Sequence, residues 1–332
     1  MLLRPVRDCL SRYAVSGRTM RMTDPSPVDR AYLIVSPGRN EAQYMRRTLD
    51  SVIAQTERPA RWIIVDDGST DASPEILAEY AARHDWITVI RREDRGRRVV
   101  GPGVIEAFYA GLDTVALEEF TYLCKLDLDL DLPPRYFETL IARMEADPRI
   151  GTCSGKPYVR RAGQLVSERR GDEMSVGMTK FYRCTCFEAI GGFVRGVMWD
   201  AIDSHKARQM GWRAVSWDHP DLNFEHLRPM GSSHLSIWEG RRRHGAGQWY
   251  MGSDPLYYAA TCLFRMAEPP YVLGGLAMAQ GYVGAWWRGD AQHEDSGLRA
   301  FIRAYQREAL LQGKARTVAR IEAAHADARA AK

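Results

Sequence analysis

The chain has 332 residues, 45% of them hydrophobic and 27% charged, with a formal net charge of +4. This is the composition of an ordinary globular protein, large enough for one sizeable domain and an extension. The six cysteines are scattered without a CxxC pair, which argues against a zinc site and a disulfide framework, and the arginine-rich first thirty residues lack the apolar stretch of a secretory signal.

Residues 1–30 are expected to form a mobile basic arm. From residue 31 apolar runs alternate with helical periodicity. Tyr32–Val35 reads as a buried strand, and Met45, Leu49, Val52 and Ile53 fall at helical spacing. Trp62–Val65 is a second strand that ends in the turn-rich Asp66-Asp67-Gly68-Ser69. Ser73-Pro74 opens a helix through Ile76, Leu77 and Tyr80, because proline is tolerated in the first turn. Trp86–Ile90 is a third strand, and a helix is predicted over Val104–Ala116. Thr121–Cys124 enters a fourth strand, and Pro133-Pro134 opens a helix carrying Tyr136, Phe137, Leu140, Ile141 and Met144. Gly151–Val166 reads as strand and turn, Trp212–Trp217 as a strand, and everything beyond Asp254 as helix. The alternation predicts an α/β fold, a doubly wound and mostly parallel sheet covered on both faces.

In such sheets ligands bind beyond the carboxyl ends of the strands. Ser36, Asp66, Asp67, Asp127 and Asp129 all fall there. The run CKLDLDLDLP, Cys124 to Pro133, places three carboxylates at alternate positions. In an extended segment they share one face and the leucines the other. Like charges so placed repel, so something positive is expected beside them. Asp127-x-Asp129 after an apolar strand suits Mg²⁺ or Mn²⁺, with diphosphate oxygens completing the shell; Asp131 is surplus. Taken alone, Asp66-Asp67-Gly68-Ser69 is an ordinary turn with a helix cap. Gly101-Pro102-Gly103 lacks the third glycine of a dinucleotide loop and carries Glu106 in its place.

SPGRNEA, QTERPARWIIVDDGSTD, KLDLDLDLPPRYF and FEAIGGF together resemble the family 2 inverting glycosyltransferases of the GT-A fold, and look closest to the bacterial branch with single, non-processive catalytic domains. The match runs over about residues 31–230. It implies a GT-A domain over 31–250, with a nucleotide-binding half to residue 131 and an acceptor half from 132, followed by a helical extension over 251–332. By position, the resemblance implies that Asp67 reads the uracil, with Asp66, Ser36, Pro37 and Glu41 around the nucleoside. Asp127 then faces the ribose as a member of the metal motif, and Asp129 is the direct metal ligand. The family's base follows I-G-G-F, usually as Glu-Asp. Here Trp199 stands where the Glu would be, so Asp200 is the candidate base and Asp203 its competitor. The family sometimes uses a late histidine near the metal, which points to His226, although a structural histidine fits equally. Arg241-Arg242-Arg243-His244, followed by Gly245 and Gly247, reads either as a flexible loop that closes Arg243 over the diphosphate or as a solvated surface run. The Q-x-x-R-W signature of processive synthases is absent.

The resemblance thus implies Mn²⁺ or Mg²⁺, a nucleotide-diphosphate sugar donor and a saccharide or lipid-linked acceptor; no nucleic acid is expected. Two rivals remain, a nucleotidyltransferase and a catalytically inactive sugar- or lipid-binding module. Tyr271–Trp287 carries no charge and is short for a membrane span, and the tail from Leu298 reads as a basic amphipathic helix. The protein is expected in the cytoplasm, peripheral on the inner face of the membrane, unless these helices pack as core.

Overall fold

The computed structural model describes residues 30–94, 96, 101–228 and 237–330. The arm expected over residues 1–30 lies outside the described residues except for Arg30, which pairs with Glu145 at 2.8 Å.

The first half follows the apolar pattern closely. The strands are β1 (Tyr32–Gly38), β2 (Arg61–Asp66), β3 (Ile87–Arg91) and β4 (Tyr122–Leu126), separated by α1 (Met45–Ile53), α2 (Ser73–Arg83) and α3 (Pro102–Leu112). The third helix thus ends earlier than the predicted Ala116. β5 (Leu130–Asp131) and α4 (Tyr136–Ala146) follow, then β6 (Ile150–Ser154), β7 (Lys156–Arg161), β8 (Gln164–Ser167) and β9 (Thr179–Arg183). After them come α5 (Cys184–Ala189), α6 (Trp199–Gln209), β10 (Arg213–Ser216) and β11 (Asn223–His226).

The main sheet has seven strands in the order β10-β6-β9-β4-β1-β2-β3. All neighbours are parallel except β9, which runs antiparallel to both β4 and β6. Alternate residues of β1 feed two cores. Tyr32 and Ile34 pack with Leu49, Leu77 and Phe137 on one face, while Leu33 and Val35 pack with Phe108, Phe187 and Trp199 on the other. A smaller sheet, β5-β11-β7-β8, stands beside the carboxyl end of β4.

The C-terminal part is α7 (Ile237–Met251), α8 (Pro255–Arg265), α9 (Leu273–Trp287), α10 (Ser296–Gln312) and α11 (Lys314–Ala330). The basic run expected as a loop is therefore helix. Its glycines serve packing: a Cβ on Gly245 would strike the Met278 carbonyl, and one on Gly281 of α9 would strike the Arg242 carbonyl. The two backbones touch because neither residue has a side chain. The tail expected to face lipid is also docked, since Leu298 and Ile302 of α10 pack on Ile202 and Met251. Its arginines are used internally, Arg303 on the Gly252 carbonyl at 2.9 Å and Arg307 on Asp254 at 2.5 Å. Among the described residues no helix is long and apolar enough to cross a membrane. The five described cysteines are free and buried.

Candidate active site

The carboxyl ends of β1, β2 and β4 bring together most of the residues singled out in the sequence. Ser36 is fully buried, and its hydroxyl accepts the indole N–H of Trp62 at 2.9 Å. Pro37 pairs in register with Val65 next to it. Glu41 is buried; its backbone N–H donates to Ser73 at 3.0 Å and its carboxylate meets Arg228. Asp66 accepts the Ser69 N–H at 2.9 Å, the expected turn cap. The Asp67 carboxylate is held by Arg92 at 2.8 Å, and Arg39 spans from the Asp67 carbonyl (2.8 Å) to Asp94 (2.5 Å). Directly after Asp67 opens a cavity of about 340 Å³, lined by Gly68, Ser69, Arg91, Arg92, Glu93 and Asp94.

The alternating aspartates each have a cation. Leu126, Leu128, Leu130 and Leu132 all turn into the core, which directs the carboxylates the other way. Asp127 contacts the buried ammonium of Lys125. Asp129 lies 3.8 Å from His226 Nε2 and 3.5 Å from Arg228 Nε. Asp131 pairs with Arg47 at 2.5 Å, well apart in role from the other two. The positive charge expected beside the run is therefore built into the chain.

His226 sits between two carboxylates, with Nδ1 3.4 Å from Glu168. Burial disfavours its charge, but hydrogen bonds and attraction from Asp129 and Glu168 outweigh that and push its pKa up to about 9. Burial likewise acts against ionised Asp129, and His226 and Arg228 overcome it, so its carboxyl lies below the usual range. Among the described residues no three His, Cys, Asp or Glu side chains converge into a closed metal site. Asp129 and His226 nevertheless fit an open one. Asp129 Oδ1 is buried without a hydrogen-bond partner, an acceptor with spare capacity. A hard divalent ion takes one or two protein ligands and completes its shell with phosphate oxygens and water. His226 would shed its proton to join.

Asp200 lies in the first turn of α6, which is preceded by Met198 in the left-handed region (φ 60°). Its carboxylate faces Gly177, where a Cβ would lie 2.8 Å from Oδ2. The Gly177 carbonyl accepts Lys125 Nζ at 3.0 Å, and the next carbonyl, of Met178, accepts the Asp127 N–H at 2.8 Å. Asp200 is thus one residue removed from the metal-motif strand. Asp203 is placed differently. It is buried against Lys180 at 2.5 Å and also receives the Tyr182 hydroxyl and the Ser204 N–H. α7 passes the same region, since a Cβ on Gly247 would meet Met198 Cγ at 2.8 Å. Arg243 sits half-buried one turn earlier on that helix. Lys125, Glu168, Gly177 and Arg228 were not singled out in the sequence. Only Lys125 carried a signal there, its position two residues before Asp127.

A family model described as glycosyl transferase family 2 matches residues 33–196, the segment that builds β1 through α5. The chain carries a family 2 glycosyltransferase domain of the GT-A fold. Glycosyltransferase GlyA of Streptococcus pneumoniae serotype 4 is 30% identical over 158 residues, 45% of this chain and 21% of GlyA. The chain therefore spans only about a fifth of the length of that relative. TarS of S. aureus (residues 1–349), solved with UDP-GlcNAc, superposes with a TM-score of 0.52 at 14% identity, covering 91% of this chain and 92% of TarS. GalNAc-T7, solved with UDP, GalNAc and Mn²⁺, superposes at 0.50 with 16% identity, covering 79% of this chain and 55% of its own. At these identities the structures establish the shared fold of the family 2 domain.

Proposed function

We propose that this family 2 domain is an inverting, metal-dependent glycosyltransferase. It moves a sugar from a nucleotide-diphosphate sugar, foremost a UDP-sugar, to a hydroxyl of a saccharide or lipid-linked acceptor in polysaccharide or glycolipid assembly. One observation carries the reading: the Asp200 carboxylate abuts Gly177, whose carbonyl is bonded by the lysine that also holds Asp127. A half-buried carboxylate beside the metal motif suits a base that takes the proton of an acceptor hydroxyl.

Asp67 accepts from the base of the donor, with Asp66, Ser36, Pro37 and Glu41 shaping the nucleoside end. Asp127 faces the ribose. Asp129 and His226 would hold Mn²⁺ or Mg²⁺; GalNAc-T7, which shares the fold, was solved with Mn²⁺. Bound there, the cation supplies positive charge to the departing nucleoside diphosphate. Arg243 lies on the helix flanking the site and adds charge on the diphosphate side. Asp200 takes the acceptor proton as the acceptor oxygen bonds to the anomeric carbon and the bond from that carbon to the diphosphate oxygen breaks. A single displacement inverts the centre. Proton NMR of the first-formed product tests this. An anomeric coupling opposite to that of the donor is expected; retained configuration would overturn the single displacement and the role of Asp200.

We also propose that the enzyme works peripherally on an anionic membrane surface, through the exposed side chains of α8 and α9. Leu256, Leu263, Phe264, Tyr271 and Trp287 are exposed, Trp287 by 82%, with Arg265 and Arg288 next to them. Exposed tryptophan beside arginine suits the interface between lipid and water.

A further inference from the structure

β4 and β9 are antiparallel neighbours, and their register sets Lys125 directly opposite Lys180. Side chains so opposed lie on one face of a sheet, and like charges there repel. Both ammonium groups are buried, 2% and 0% exposed. Each has a carboxylate, Asp127 for Lys125 and Asp203 for Lys180. Both also sit over the ring of Trp199, 5.1 and 5.9 Å from its centroid, where the electron-rich face attracts cations. Trp199 is the residue that stands where the family's Glu was expected.

The two lysines reach in different directions. Lys125 donates to the Gly177 carbonyl at 3.0 Å, and Lys180 donates to the Asp200 carbonyl at 2.7 Å. Gly177 and Met178 therefore form a strap, stitched to Lys125 and to the Asp127 N–H on one side. On its other side the strap presses on Asp200: a Cβ on Gly177 would lie 2.8 Å from Asp200 Oδ2 and 3.1 Å from Asp200 Cβ. No left-handed φ explains this glycine. What it lacks is a side chain, at the one place where a side chain would push the carboxylate away.

We propose that Lys125, Gly177 and Trp199 are positioning residues that set the distance between the donor-side carboxylate Asp127 and the base Asp200. Lys125 fixes the strap to the strand, the bare Cα of Gly177 lets Asp200 close on it, and the Trp199 ring holds the two lysines that anchor each side. The proposal rests on Asp200 being the base.

Gly177→Ala tests it. Displacing a reacting group by about 1 Å costs on the order of 100-fold in rate. The variant should therefore lose about that much turnover while its UDP affinity by calorimetry and its melting temperature stay near those of the wild type. Trp199→Phe should keep at least about tenfold more turnover than Trp199→Leu, because only the former retains a ring face. Gly177→Ala turnover within about threefold of wild type, or equal losses of UDP binding and turnover, would overturn the strap. Should the wild type turn over no donor at all, the glycosyltransferase reading is what fails. The strap is then judged by the crystal structure of Gly177→Ala: an Asp200 carboxylate moved off residue 177, with Lys125 still on Asp127, supports it, and an unmoved Asp200 refutes it.

Discussion

Lys180 Nζ lies 2.5 Å from Asp203 Oδ2, and neither side chain is more than 1% exposed. This pair separates the two candidate bases. Asp203 is buried and has its oxygens occupied by Lys180, Tyr182 and Ser204. Burial pushes its carboxyl pKa up, opposed by Lys180, which is the condition of a structural carboxylate. Breaking such a pair costs about 3–5 kcal/mol, so Lys180→Met should unfold at markedly lower denaturant. Asp200→Asn should instead keep its stability and lose about two to four orders of magnitude in turnover. Steady-state kinetics and urea melts of both variants and of Asp203→Asn check the division. A stable, inactive Asp203→Asn beside an active Asp200→Asn would reverse the assignment.

The proposed mechanism assigns the metal to Asp129. Asp129→Ala removes the carboxylate with the unpartnered oxygen and leaves His226 facing Glu168. UDP binding measured by calorimetry should lose its dependence on Mn²⁺, and turnover should vanish. Wild-type enhancement of UDP binding by Mn²⁺ in this variant would place the metal elsewhere.

Asp254 ties α8 to α10 within the helical extension. Its carboxylate caps α8 through the Leu256 and Tyr257 N–H groups, at 3.0 and 3.2 Å, and pairs with Arg307. Burial works against the ionised form, but Arg307 and the two N–H groups prevail and lower the pKa. A depressed folded pKa contributes stability above the ordinary carboxylate value and loses it as the pH falls through the folded one. Asp254→Ala should therefore cost about 1–2 kcal/mol at neutral pH. The gap to wild type should close below about pH 4. Thermal melts across pH decide; a gap that is constant with pH would mean that the carboxylate charge is irrelevant.

The exposed face of α8 and α9 can be tested without any knowledge of the substrate. The protein should float with anionic liposomes at low salt and float less as salt rises, since both buried apolar area and charge contribute. Trp286→Ser/Trp287→Ser should sediment with no change in melting temperature. Wild-type protein that stays at the bottom with anionic lipid at low salt would end the membrane proposal.

The strands at the site were legible because a parallel sheet buried on both faces leaves continuous apolar runs such as Tyr32–Val35 and Trp62–Val65. The antiparallel β9 was not, because its pairing with β4 is non-local and its own run contains Lys180 and Arg183. Lys125 stood in plain view two residues before Asp127, yet a metal explained the carboxylates without it. Glu168, Gly177 and Arg228 come from connecting segments with no periodicity, so only three-dimensional proximity identifies them. Gly245 and Gly247 suggested a loop because glycine is permissive, whereas here they admit close backbone and side-chain contacts. Arg303 and Arg307 suggested a lipid-facing tail, whereas they satisfy the Gly252 carbonyl and Asp254.

The central claim is that this domain transfers a sugar from a nucleotide-diphosphate donor with the help of a divalent cation. Release of nucleoside diphosphate from a panel of UDP-, GDP- and other nucleotide sugars, with Mn²⁺, with Mg²⁺ and with chelator, tests it most directly. The account expects diphosphate release from at least one UDP-sugar that chelator abolishes and Asp129→Ala lacks. Folded protein that releases no diphosphate from any donor, yet binds sugar or lipid, would contradict it and leave an inactive binding module in its place.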